Sequence, residues 1–335
     1  MTDKRELRTW AEVDLDALAH NYRALRAMLP AGCRFLGLVK ADAYGHGAVP
    51  VARKLQNLGA DMLAVACVAE GVELRQAGVT LPILCLGQTP VELANDLLAF
   101  DITQTVEDLE TGRALSVAAT AAGRTMAVHV KLDTGMGRLG FLWGDGDNRA
   151  VAEEIAALCA LPGLRAEGLF THFAAADGDE EYTMMQLTRF LDARTALEGR
   201  GIRFEIYHCG SSAAVLHYPC THMDMARPGI ALYGHYPDEE SRGLDGPGLE
   251  PVMTVKSRIS AVRPMPAGSK VSYGCTATLS RDSRLAVLPI GYGDGLPRVL
   301  SNRLEVRIRD RMCPVVGRIC MDMCMVDVTD LPRVE

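Results

Sequence analysis

Apolar residues in the first two-thirds of the chain form short continuous runs separated by amphipathic stretches, and beyond residue 251 they alternate with polar ones instead. The run at 35–39 is apolar at consecutive positions, as a strand buried on both faces requires. Before it, Asp14 and Asp16 open an amphipathic stretch with acidic residues in its first turn, which predicts a helix start. Further runs at 62–67, 82–87, 101–106, 126–132, 165–170 and 204–208 each lead into a helical pattern, and a weaker eighth run lies at 223–226. Eight strands with intervening helices in about 235 residues predict a parallel (β/α)8 TIM barrel. A doubly wound open sheet is the alternative, but the Gly-x-Gly-x-x-Gly fingerprint it often carries is missing.

The later alternation, at 254–262, 285–290, 304–308 and 325–328 with Gly and Pro between, predicts an all-β domain. Residues 10–13 read as one more strand of it. The stretch 237–248, rich in Gly, Pro and acidic residues, reads as the link. The expected class is therefore α/β: an N-terminal (β/α)8 TIM barrel at 12–240 and a mostly β-strand domain made of 1–11 and 245–335.

Composition narrows the function classes. Of 335 residues, 48% are hydrophobic and 23% charged, and the net charge of -7 comes without a basic block, which argues against a nucleic-acid partner. No apolar run approaches membrane-spanning length, and residues 1–6 carry charge where a signal peptide would be apolar. Ten cysteines are scattered without a Cys-x-x-Cys pair, which suggests reduced thiols and a cytoplasmic protein. His208, Cys209, His217, Cys220 and His222 are close together, but their spacing fits no standard zinc site, so they read as strand-end packing with no metal. The acidic stretch 177–181 reads as a solvated loop.

In a TIM barrel, catalytic groups follow the C-terminal ends of strands. Here Lys40 and Tyr44 follow the first strand, and Lys131, Asp133 and Arg138 the fifth. His172 follows the sixth, Ser211 and Ser212 the seventh, and Arg227 the eighth. Singly, each has an ordinary explanation, for a lone lysine is usually a surface charge and a serine a helix cap. Polar groups at five exits on one face are harder to dismiss. Ser212, with Gly229 and Ile230, could hold a phosphate there. A phosphate beside a buried lysine suggests pyridoxal 5′-phosphate (PLP) bound through that lysine.

Five motifs in order carry a resemblance: Val39-Lys40-Ala41-Asp42-Ala43-Tyr44-Gly45-His46-Gly47, residues 131–139, Arg227-Pro228-Gly229-Ile230, Ser272-Tyr273-Gly274 and Gly317-Arg318-Ile319-Cys320-Met321-Asp322. Together the sequence resembles the alanine racemases from Trp10 to its last residue. The resemblance implies a PLP enzyme that interconverts L- and D-alanine with two bases, supplying D-alanine for peptidoglycan. Lys40 would bind PLP and act on the D-enantiomer, and Tyr273, from the partner in a homodimer with shared sites, on the L-enantiomer. Tyr44, Ser212, Gly229 and Ile230 would hold the phosphate, Arg227 would meet the pyridine nitrogen and His172 would support it. Arg138 would contact the substrate carboxylate, the Met321 backbone the substrate, and Asp322 would assist Tyr273. Lys131 matches a lysine that is often carbamylated in the family.

An arginine at the ring nitrogen leaves it unprotonated, which weakens the electron sink and suits racemisation better than decarboxylation or transamination. Two departures stand out. Ser211 replaces an asparagine common in the family, and the chain stops at 331–335 before the expected final strands, which reads as truncation. Rivals are a serine or broad-specificity racemase, separated only by pocket size, and a non-catalytic PLP-binding barrel, which would lack the β-domain and Tyr273.

Overall fold

The structure, a computed structural model, describes residues 7–243 and 246–332. Expectations for residues 1–6, for a domain start at 245 and for 333–335 lie outside the described residues. The chain divides into two compact units, Val13–Val252 and residues 1–12 with 253–335.

Val13–Val252 is an eight-stranded parallel barrel with helices between the strands. Arg34–Leu38, Met62–Val65, Ile83–Cys85, Thr103–Val106, Met126–Asp133, Leu164–Phe170 and Ile206–His208 pair in that order, and Met225–Ala226 pairs with the first. The seam between the seventh and eighth strands carries single bonds, from Asp224 N–H to Tyr207 O at 3.1 Å and from Arg227 N–H to Gly210 O at 2.9 Å. The ring is thus nearly closed. The eighth strand has two residues, which explains its weak apolar signal.

Local chemistry sets these elements. The Asp14 carboxylate accepts the Asp16 and Ala17 N–H groups at 2.8 and 3.0 Å, capping helix Leu15–Met28. Asp108 and Asp179 cap helices Leu109–Ala121 and Glu180–Glu198 in the same way. Along each strand alternate residues face opposite ways. Phe35, Leu63, Ile83, Val128 and Leu169 pack outward into the main core, while Leu36, Met62, Ala64, Leu84, Ile206 and Met225 form a second cluster in the lumen. On the fifth to eighth strands the alternation puts His129, Lys131, Phe170, His208 and Arg227 inside. The lumen is apolar on one side and polar on the other.

The other unit is built of small antiparallel sheets. Thr9–Val13 pairs with Met253–Ser257, as the alternation at 10–13 anticipated. The pattern at 254–262 is two strands, not one. Arg258 N–H still bonds Arg8 O, whereas Ser260 N–H bonds Val287 O and starts a different sheet. That sheet orders Ala261–Met265, Ser283–Leu288 and Cys324–Asp327. Lys270–Val271 with Ala277–Thr278, and Glu305–Ile308 with Arg311–Pro314, make two further ribbons. Ala286, Val315, Ile319, Cys324 and Val326 form its core.

The described part of 237–248 belongs to the barrel unit. Ser241 Oγ donates to Asp238 at 2.8 Å and His20 Nε2 lies 2.9 Å from Gly248 O. No described helix is long and apolar enough to cross a membrane.

Candidate active site

The C-terminal ends of the barrel strands surround a cavity of about 490 Å³, within the usual range for a small-molecule site. It is lined by Lys40, Tyr44, Lys131, Arg138, His172, Ser212, Arg227, Gly229 and Ile230, with Ser211, Met136 and Phe170 among the others. Every lining residue comes from Val13–Val252. Tyr273, Met321 and Asp322 belong to the other unit.

Lys40 follows the first strand, and Val39 before it is fully buried. Burial, and then the Arg138 cation, lower the Lys40 amine below its ordinary value against an opposing pull from Glu70. The chain turns directly after Lys40. Ala41, Asp42, Ala43 and Tyr44 all adopt left-handed backbone, with φ of 50, 52, 54 and 56°. Such residues cost about 1–2 kcal/mol each when they carry a Cβ, so the sequence did not announce the conformation.

Compensating bonds hold this turn. Ala43 N–H reaches Val39 O at 2.9 Å and Gly47 N–H reaches Asp42 O at 3.0 Å. The Glu70 carboxylate accepts Ala41 N–H and Ala66 N–H, each at 2.7 Å, and so ties the first strand's exit to the second's. Tyr233 Oη donates to Leu38 O at 2.6 Å, with its ring 4.9 Å from that of Tyr44. Sequence reading missed Glu70 and Tyr233, since one sits in a helix start and the other in an apolar run. At Gly229 a Cβ would stand 2.7 Å from Tyr44 Oη, so a side chain there would displace the tyrosine.

After the fifth strand, Asp133 organises the loop that carries Arg138. Its Oδ1 accepts the N–H groups of Gly135, Met136 and Gly137 at 2.9, 2.8 and 3.1 Å, and Oδ2 that of Arg138 at 3.0 Å. Burial alone would raise the Asp133 pKa, but the four donors outweigh it and hold the pKa below 3.8. The unfolded chain therefore protonates first: this stabilisation is whole above 3.8 and is lost as pH falls through the folded value. Asp133→Asn should lower the unfolding free energy by about 1–3 kcal/mol at pH 6, and by clearly less at pH 3. Urea unfolding at both pH values checks this, and an equal loss at each would refute the loop's dependence on the charge.

Lys131 is brought down to about 8 by burial first and then by Arg138 and Arg227. The buried Glu107 carboxylate has no hydrogen-bond partner on either oxygen. Burial, with Asp108 adding, raises it to about 7.

Arg227 is 4% exposed, and burial lowers it to about 10, which leaves it charged at neutral pH. Its acceptors are neutral: Thr171 O and Cys209 O at 2.8 and 3.1 Å, His208 Nδ1 at 2.8 Å and His172 Nδ1 at 3.3 Å. Its guanidinium also lies 5.4 Å from the Phe170 ring centre. Burial, followed by Arg227, Arg138, Lys131 and Lys40, holds His172 down to about 3, hence neutral. His208, read from the sequence as strand-end packing, touches the site through Arg227. Its strand-end position after an apolar run was the available signal. Among the described residues no group of His, Cys, Asp or Glu could hold a metal.

Ser212 Oγ accepts Gly229 N–H and Ala231 N–H at 2.8 and 3.2 Å, joining the loops after the seventh and eighth strands. In the other unit Tyr273 is 69% exposed. The Ser272 hydroxyl beside it donates to Arg318 O at 2.6 Å, which sets the Tyr273 turn against the segment leading to Met321 and Asp322. Met321 is also exposed, and its carbonyl accepts Gly293 N–H at 2.7 Å. Asp322 is exposed.

Family models match both parts of the chain: "Alanine racemase, N-terminal domain" over residues 13–237 and "Alanine racemase, C-terminal domain" over 252–335. The chain is 45% identical over 329 residues to the alanine racemase of Desulforamulus reducens, covering 97% of this chain and 87% of that protein. With the alanine racemase of Desulfovibrio desulfuricans it shares 46% over 330 residues, covering 97% and 86%. The solved alanine racemase of Clostridium difficile superposes with a TM-score of 0.91 at 40% identity, covering 99% of this chain and 85% of that one. That of Streptomyces coelicolor gives 0.90 at 37%, covering 97% and 85%. The chain belongs to the alanine racemase family.

Proposed function

We propose that this chain is a PLP-dependent alanine racemase that works as a homodimer with shared sites. One observation carries the reading. Lys40, Lys131, Arg138 and Arg227 line one cavity, and among the described residues none of the four makes an ion pair. So much unmatched positive charge suits a ligand bearing a phosphate, together with a substrate carboxylate. The residues fit the cofactor in a second respect: Gly229, having no Cβ, lets the Tyr44 hydroxyl stand against the loop after the eighth strand, beside Ser212.

When bound, PLP supplies an electron sink that acidifies the α-proton of an attached amino acid. The chain's own groups do the rest. Lys40 anchors the cofactor and moves the α-proton on one face, helped by an amine already shifted toward its neutral form. Tyr273 of the partner subunit moves it on the other face, with Asp322 assisting, and exposure of Tyr273 on the single chain suits that role. Ser212, Tyr44, Gly229 and Ile230 hold the phosphate. Arg227 faces the ring nitrogen with His172 beside it, while Arg138 and the Met321 backbone orient the substrate. Lys131, lowered to about 8 and so with a neutral fraction at physiological pH, is poised to take up CO₂ as a carbamate facing Arg138.

Barrel residues 12–240 form the cofactor domain in this scheme. The product would feed cell-wall synthesis, and the cytoplasm suits the ten free thiols. Incubation of the PLP-loaded protein with pure L-alanine and with pure L-serine, followed by chiral chromatography, tests the reading. D-alanine should accumulate faster than D-serine. Faster serine turnover makes the chain a serine racemase, and no racemisation despite bound PLP defeats the proposal.

A further inference from the structure

We propose that Glu167 is a positioning residue for Arg227 and acts on it through His129 and His208. The inference rests on the reading that Arg227 faces the cofactor ring, and begins from a physical difficulty. A guanidinium 4% exposed with only neutral acceptors is expensive to bury. The hydrogen bonds leading away from it run through His208 to His129, and a carboxylate stands 3.5 Å beyond.

The protons along that path are fixed by elimination. Arginine has donors and no acceptor, so His208 Nδ1, 2.8 Å from Arg227 Nη1, must offer its lone pair. Burial, and then the Arg227 cation, keep His208 well below its ordinary pKa and so neutral, which puts its one proton on Nε2. That nitrogen lies 2.8 Å from His129 Nδ1, which must in turn accept. His129 is fully buried and likewise held neutral, by burial first, so its proton is on Nε2. Nε2 has no hydrogen-bond partner, and Glu167 Oε2 stands 3.5 Å from it, an ion–dipole distance. The other Glu167 oxygen meets Arg165 Nη1 at 3.1 Å.

The backbone is bent for this contact. Between the fifth and sixth strands Val128 pairs with Ala166 but His129 with Gly168, so Glu167 is the extra residue of a bulge. Bulges re-aim side chains. The next residue has to be small: a Cβ at Gly168 would lie 2.5 Å from His129 Nδ1. Bulge, glycine and two fully buried imidazoles thus connect a carboxylate near the surface to the guanidinium of the site. Hydrogen bonds in such a row polarise one another, by roughly 10–30% each. Negative charge at Glu167 makes His208 Nδ1 a better acceptor, and so holds Arg227 charged and in one pose.

The test uses the PLP-loaded protein with ¹⁵N-labelled histidine. In the wild type, both His129 and His208 should show neutral rings protonated at Nε2. Glu167→Gln keeps the shape and removes the charge. It should move the His129 resonances and reduce kcat about tenfold, the scale of removing one charge near a part-buried site, with KM changed much less. Glu167→Asp should restore most of the loss. A wild-type ring protonated at Nδ1 or at both nitrogens overturns the relay without need of any variant. Unchanged kcat in Glu167→Gln, or equal losses in the Gln and Asp variants, overturns the positioning role. Wild-type protein that racemises nothing would instead defeat the functional reading, while the ring tautomers still decide the relay.

Discussion

Lys40→Ala is expected to abolish racemisation and to leave no PLP on the protein that borohydride can fix. Lys40 follows a buried strand, its amine is depressed by burial and by Arg138, and it lies in the cavity that holds the other three cations. On the proposed reading, removing it deletes both the covalent anchor and one of the two bases. A positioned base alone contributes about 10²–10⁴-fold, so the loss of both should exceed about 10³-fold. Lys131 is the obvious substitute, because it shares the cavity and is shifted to about 8. Borohydride treatment followed by peptide mapping decides between them: a retained adduct in Lys40→Ala would move the anchor to Lys131 or elsewhere.

Tyr273→Phe should leave PLP bound and cut racemisation by about 10²–10⁴-fold in both directions, because the enantiomers interconvert with an equilibrium constant of one; α-proton exchange should fall more for L-alanine than for D-alanine. Deleting a hydroxyl from a side chain 69% exposed should change stability by less than about 0.5 kcal/mol, so a rate effect cannot be blamed on unfolding. The same variant tests the shared site. Mixed with Lys40→Ala, itself inactive, it should regain activity, because a mixed dimer holds one site with both bases intact. Mixing without recovery would place the tyrosine and the lysine of each site in the same chain.

Much of this was legible in the sequence because it depends on local rules. Eight apolar runs spaced by helical patterns specify a parallel barrel, and the exits of its strands specify where polar groups must meet. Lys40, Arg138, His172 and Arg227 could be placed in one cavity on that ground alone. Contacts that depend on three-dimensional closure were not legible. Glu70 reads as a helix residue, yet its two oxygens tie two strands together. Glu167 sits in an ordinary strand pattern, and only a slipped register turns it toward His129. The break at 258–260 was hidden because both flanking strands keep alternating while their partners change.

The left-handed run from Ala41 to Tyr44 bears on how this enzyme could be improved for use. At each of the four positions glycine would relieve backbone strain that the present residue sustains. A search guided by thermal robustness alone would therefore favour glycine there. The gain would come from freeing the segment that fixes where Lys40 emerges, so durability and turnover pull in opposite directions at these four positions.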